Sequence, residues 1–556
     1  MTALLTDNLP LLAGAPNGIK KLRELILELA VRGKLVPQDP SDEPASELLK
    51  RIAEEKSRLL TAGKKLKHQA EISKQEQPFS VPVTWSWVRL GSCLEMINGR
   101  AFKPTEWIAA GLPIVRIQNL NKPDAPFNYC NPDAVDDRHV IDTGTILISW
   151  SGTPGTSFGA FIWERGKAAL NQHIFSCFQV GDAFFDKFLK LAINTRLEEL
   201  IAKAHGGVGL QHVTKGKLEA LTLVLPPLAE QHRIVAKVDE LMALCDRLEA
   251  HQSDAESAHT QLVQALLDSL PQASDATDFA ANWQRLAEHF HTLFTTESSI
   301  DALKQTLLQL AVMGKLVPQD PSDESASELL SRAWEINVKL ERTLPSEAGG
   351  DDAERWFGIS APKGWCVCKV SNIAEVKLGS TPSRAESSYW GGDIPWVSSG
   401  EVAGTIIEST RERITLAGHK NSSTVMIPPG SVLIAMIGQG KTRGQSALLE
   451  IEACTNQNVA ALIFNTELVA SRYVWLWAQA MYSLHRADGH GGAQPALNAK
   501  KVKAFSLPLP PTAEQHRIVA KIDQLMAICD QLKTRLTQAR HLNQIIASTL
   551  VQQATN

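Results

Sequence analysis

The sequence predicts an α+β chain made twice over. Two globular α/β domains are separated by long antiparallel coiled-coil helices, in a pseudo-two-fold tandem duplication. Three observations predict this. Pro226–Lys237, PPLAEQHRIVAK, returns as Pro510–Lys521, PPTAEQHRIVAK, with 11 of 12 residues the same. Lys34–Glu43, KLVPQDPSDE, returns unchanged as Lys315–Glu324. The offsets, 284 and 281 residues, are about half of the 556-residue chain and far longer than a solenoid repeat. Each Pro-Pro motif is also followed by apolar residues spaced four and three apart. In the first copy these are Ile234, Val238, Leu241, Cys245 and Leu248. In the second they are Ile518, Ile522, Leu525, Cys529, Leu532, Leu536 and Ala539. That rhythm is the seam of helices packed side by side.

Taken in order, the chain divides into a helical region over 1–80, a globular domain over 81–225, a central long-helix region over 226–345, a second globular domain over 346–509, and a C-terminal long helix over 510–556 that pairs with the central one. The first helix, Ile19–Arg32, ends at Gly33 and its twin at Gly314, where a left-handed residue closes a helix. The prolines of VPQDP block continuation. Ser41 and Ser322 are placed to cap the next helix, which is expected to reach Lys67 in the first half and Arg342 in the second. Trp85 and Trp365 fall in register at the start of the globular domains. LPIVRIQ at Leu112–Gln118 answers IPWVSS at Ile394–Ser399, and DTGTILIS at Asp142–Ser149 answers PGSVLIA at Pro429–Ala435. These runs read as strands. The remaining residues of the two domains differ widely, as suits modules built for different targets.

Composition is that of an ordinary soluble chain, 44% hydrophobic and 21% charged. No apolar run reaches the roughly 18 residues of a membrane span, so no membrane partner is expected. Met1–Lys21 lacks the pattern of a secretory signal. Eight cysteines without CxxC pairs indicate neither a disulfide framework nor a zinc ribbon, and a reducing, cytoplasmic setting fits. His173 and Cys177 alone do not make a metal site. A net charge of −4 argues against nucleic-acid binding by bulk charge. The second globular segment, from Pro362 to Leu509, is locally basic, with 14 Lys and Arg against 10 Asp and Glu.

The long helices opening PP-x-AEQHRIVAK, the two dissimilar Trp-led domains and the tandem layout resemble the DNA-specificity subunit of type I restriction–modification enzymes. The resemblance covers essentially the whole chain. It implies that each globular domain is a target recognition domain reading one half of a split, asymmetric duplex DNA site. It implies that the helices separate the two heads and bind two modification subunits, which carry S-adenosylmethionine and methylate adenine. Restriction subunits, which use ATP, join that core. The specificity subunit itself is then no catalyst and binds no cofactor. The rival reading is a DNA-independent coiled-coil adaptor that pairs two partner proteins.

The loop after the buried strand is the first candidate for DNA contact, because a Gly-rich backbone allows close approach. In the first head it offers Ser151, Thr153, Thr156 and Ser157, and in the second Gln439, Lys441, Thr442 and Arg443. Lys and Arg reach phosphate, and Arg pairs with guanine. Asn171, Gln172 and His173 align with Asn456, Gln457 and Asn458, and Asn and Gln read adenine or satisfy buried backbone equally well. Gln211 lies in a further candidate loop. AMIGQGKT at Ala435–Thr442 mimics a phosphate loop, yet its first position is Ala and no helix is predicted after it, which excludes an ATP site. Glu230, Gln231, His232 and Arg233, with Glu514, Gln515, His516 and Arg517, carry more charge than a solvated first turn needs. They read as a partner-docking surface or as a joint between head and helix.

Overall fold

The computed structural model describes residues 9–62, 70–122, 124–150, 158–203, 214–274, 276–342, 361–438, 441–487 and 497–555. Two compact units emerge, and each draws on distant stretches of chain. The first is Met1–Asp254 with Arg540–Asn556, and the second is Ala255–Ala539.

In the first unit, Gly18–Val31 forms a helix that buries Leu22, Leu25, Ile26 and Leu29, spaced as one helical stripe. Gly33 follows at φ 69, as its place after the helix predicts. A side chain there would also collide with Pro82, since a Cβ would lie 2.5 Å from its ring. The head opens and closes on one antiparallel ribbon, Ser86–Arg89 against Thr222–Leu225. Between them stands a four-stranded antiparallel sheet, in the order Leu94–Asn98, Ile174–Gln179, Ile146–Ser149 and Gly159–Ile162. A second sheet runs Asn128–Cys130, Leu112–Val115, Ala168–Leu170 and Val140–Ile141, with Leu112–Val115 parallel to Ala168–Leu170.

The second unit repeats this plan on other residues. Its ribbon is Cys366–Lys369 against Ser506–Leu509. Its large sheet runs Glu375–Leu378, Val459–Ile463, Val432–Ala435, Ser446–Leu449 and Ile406–Ile407. Its small sheet runs Glu412–Ile414, Trp390–Val397 and Cys454–Thr455, the last two parallel.

The two long helices are Leu228–Ser269 and Thr512–Thr555. Their seams face apolar cores: Ile234, Val238 and Cys245 are buried in the first unit, and Ile518, Ile522 and Cys529 in the second, while Ala539 is exposed. In each unit the repeated short helix lies beside the middle of a long helix. Arg23 binds Asp246 and Glu249 at 2.7 and 2.8 Å, and Lys533 binds Asp301 at 3.0 Å. The same cores hold the far end of the other long helix. Ala547 is buried in the first unit, with Leu550 and Val551 packed around it; Val263 and Leu267 are buried in the second. The chain ends thus rebuild, in the first unit, what 255–312 builds continuously in the second. Ala547→Asp should cost on the order of 3 kcal/mol by burying an unpaired charge. Hydrogen exchange should show helix Gly18–Val31 losing protection while Glu297–Val312 keeps it, and Val263→Asp should reverse the pattern.

Two local expectations are corrected. Ser41 and Ser322 cap no helix; each donates instead to Asp39 or Asp320, both at 2.7 Å, closing the turn. The helices begin later, after Pro44 and Ser325, and Ser325 forms the capping box with Glu328. The second-half helix ends at Ile336 rather than Arg342, because the Asn337 side chain accepts from the Lys339 N–H at 3.0 Å and turns the chain. The first-half helix ends at Thr61, short of the expected Lys67, with Ala62 closing it through the Arg58 carbonyl; Lys67 itself lies outside the described residues. Among the described residues no helix is long and apolar enough to cross a membrane.

Candidate nucleic-acid interface

One edge of each large sheet gathers the polar candidates, and strand register explains why. In the second head Leu378 pairs with Ala460, Ala435 with Val459, and Ile434 with Ser446. The connections beyond those pairs therefore emerge together. Gly379 crosses the Thr455 main chain so closely that a Cβ would sit 1.7 Å from the Thr455 carbonyl oxygen. This crossing sets Thr381 against Gln457, whose Oε1 accepts from the Thr381 hydroxyl at 2.6 Å. The Gln457 side chain is exposed, and that bond orients its amide while leaving the NH₂ available. Asn456, by contrast, is buried, and its Oδ1 accepts from the Asn458 N–H at 3.0 Å. The Met436 N–H donates to the Asn458 carbonyl at 2.8 Å and the Met436 carbonyl accepts from Leu497 at 2.9 Å, tying the next two connections to the same edge. Lys441 is exposed there, and its carbonyl accepts from the Tyr482 hydroxyl at 2.7 Å. Thr442 and Arg443 are half-buried in the turn that follows. The Arg443 carbonyl accepts from Arg486 at 3.4 Å.

The first head shows the same edge with other side chains. Asn98 pairs with Phe175, and Ser149 with Ile174 and Gly159. Gly99 makes the crossing, a Cβ there falling 2.3 Å from the Asn171 carbonyl oxygen. Asn171 is half-buried and its N–H donates to Val115 at 3.1 Å. Gln172 is exposed, with its Nε2 3.3 Å from the His173 Nε2. The His173 ring rests on Trp150 at 5.4 Å, and its Nδ1 is buried without a hydrogen-bond partner. Ser151, Thr153, Thr156, Ser157, Gln211 and Gln439 lie outside the described residues. The sequence reading missed Thr381, Arg100 and exposed Lys103, which follow the two crossing glycines. The matched Gly99 and Gly379, each ending a strand, were the available signal. The Ala435–Thr442 stretch leads into the strand Ser446–Leu449, not into a helix, so it is no phosphate loop.

The charged motif at the start of each long helix is a joint, and the docking role is corrected for four of its residues. Glu230, Gln231, Glu514 and Gln515 are 0–1% exposed and leave no face for a partner. Glu230 accepts from the Trp85 indole at 2.9 Å and from the Gln38 amide at 2.6 Å. Burial pushes its carboxyl above the ordinary carboxylate range, opposed by those two bonds and by Arg233. Gln231 donates to the Ala183 and Pro226 carbonyls and accepts from the Phe185 N–H at 2.7 Å. Arg233 reaches Asp42 with both terminal guanidinium nitrogens, Nη1 and Nη2, at 3.1 and 2.5 Å. The second unit repeats most of these bonds: Trp365 and Gln319 to Glu514, the Ala470 N–H to Gln515, Gln515 to the Pro510 carbonyl, and Arg517 to Asp323, while the Leu468 carbonyl, which matches that of Ala183, accepts from the Thr512 hydroxyl. His232 and His516 remain exposed, the His232 ring lying tilted over Phe185 with centroids 4.1 Å apart.

Comparison with known proteins agrees with this two-headed plan. The family model of the type I restriction modification DNA specificity domain matches twice, at residues 82–256 and 362–539. The specificity subunit of the Escherichia coli type I restriction enzyme EcoAI is 33% identical, over 97% of this chain and 94% of its own. That of the E. coli enzyme EcoEI is 33% identical with the same coverage. A solved structure, the HsdS subunit from Thermoanaerobacter tengcongensis, is similar at 18% identity and a TM-score of 0.43, over 86% of this chain and 99% of that one. The chain belongs to the family of type I restriction–modification DNA specificity subunits, with two specificity domains in tandem.

Proposed function

We propose that each head reads one half of a bipartite, asymmetric duplex site through the loop edge of its large sheet. The carrying observation is that the same backbone edge recurs in both heads with different exposed side chains: Gln457, oriented by half-buried Thr381, and Lys441 in one, Gln172 and Lys103 in the other. A shared frame with unlike polar ends is what two unlike half-sites require. In this reading the long helices set the spacing and dock two modification subunits. Those subunits hold S-adenosylmethionine and methylate adenine, and restriction subunits that use ATP complete the complex. The chain itself is a non-catalytic cytoplasmic reader that holds no cofactor.

Two substitutions test it. Gln457→Ala should cost about 1–3 kcal/mol at one base pair and relax preference there. Lys441→Ala should weaken binding evenly across sequences and lower the salt-dependence slope by about one. Binding of the assembled complex to duplex libraries at several salt concentrations measures both. Unchanged preference and unchanged slope would end this assignment of the reading edge.

A further inference from the structure

We infer that Glu230 and Glu514 are positioning residues, which fix the angle at which each head leaves its long helix and so set how strictly half-site spacing is discriminated. This rests on the reading that the two heads bind two half-sites. Three segments distant in sequence meet at each carboxylate. The head contributes Trp85 or Trp365, the exposed repeated turn contributes Gln38 or Gln319, and the helix contributes the carboxylate itself. One turn of helix further on, Arg233 and Arg517 pin the same repeated turn through Asp42 and Asp323. Gln231 and Gln515 hold the head from the other side through main-chain groups of Phe185 and Ala470. The first peptide N–H of the next helix closes the frame: Ala45 donates to the Thr84 carbonyl and Ala326 to the Gly364 carbonyl, each at 2.9 Å.

This arrangement accounts for the identity of an exposed turn in two halves whose heads have diverged. Gln38 is the partner of a buried carboxylate and the Asp42 side chain is itself mostly buried against Arg233, so their positions are fixed by geometry rather than by what solvent tolerates. The bonds are directional and charge-assisted, and they cross between rigid elements. A head held only by apolar packing keeps more angular freedom, because that packing is non-directional. Angular freedom at a joint becomes translation at a distant DNA edge.

The test uses the full chain assembled with its modification subunits and duplexes carrying both half-sites at varied separation. Glu514→Ala should leave the half-site sequences unchanged. It should lower the preference for the best spacing over one base pair longer or shorter by about fivefold, the equilibrium counterpart of one lost hydrogen bond. Gln319→Ala, on the exposed turn, should act in the same direction and keeps the test decisive if Glu514→Ala does not fold. Glu514→Gln retains an acceptor for the Trp365 N–H and should restore spacing preference. A lower melting temperature with unchanged spacing preference would overturn the proposal and leave the joint a brace. Absence of any bipartite selection by the unaltered chain would overturn both this inference and the function it rests on.

Discussion

Exchanging residues 86–225 for a head of different specificity is expected to rewrite one half of the recognised site and leave the other half unchanged. The cut points are neighbours, because Ser86 pairs with Leu225 across the ribbon that opens and closes the head. Trp85 and the whole helix motif then stay in place, so Glu230 keeps its indole partner. Gln231 grips the head through the Ala183 carbonyl and the Phe185 N–H, and main-chain groups exist in any head with that local backbone. The helix therefore does not depend on head side chains for this bond. Affinity for the original composite site should fall by about 1–3 kcal/mol for each base pair of the exchanged half that no longer matches. Selection from randomised duplexes, before and after exchange, reads the result. A change in both halves of the selected site would show that the heads do not read independently.

How much of this was visible in the sequence differs between repeat and site. The two internal repeats announced the duplication, and the four-three spacing after each Pro-Pro motif announced the buried seams at Ile234 and Ile518. Gly33 and Gly314 announced their left-handed turns, since local conformation is what a helix-terminal glycine encodes. What escaped was decided by residues far away. Glu230 reads as a surface charge on a first helical turn, yet its partners Trp85 and Gln38 lie 145 and 192 residues distant. Periodicity carries no trace of such bonds. Ser41 followed by acids reads as a cap, but Asp39, two residues earlier, takes its hydroxyl instead. At the loop edge of the large sheet, the Asn-Gln-Asn run left two roles open for each residue. Strand register separated them, burying Asn456 and exposing Gln457 one position later.

Gly379→Ala is the single substitution expected to damage the second head most. At this position the backbone of the strand's end passes over the Thr455 peptide, and Ser380 donates to the Thr455 carbonyl at 2.9 Å. A Cβ would meet that carbonyl oxygen at 1.7 Å and its carbon at 2.3 Å. Nothing flexible can yield, since the obstruction is main chain and Thr455 is itself fully buried. Either the strand Glu375–Leu378 slides from Val459–Ile463, or the crossing opens. Overpacking of a rigid site costs about 1–3 kcal/mol, and backbone on both sides places this case near the upper end. The loss has a functional side, because Thr381 sits two residues beyond the crossing and orients Gln457. Denaturant unfolding should show the destabilisation, and base preference at the Gln457 position should relax with it. Gly400→Ala provides the control, its nearest obstacle being the Ser398 hydroxyl at 3.9 Å. Wild-type unfolding and wild-type preference in Gly379→Ala would mean that this crossing does not hold the reading edge in place.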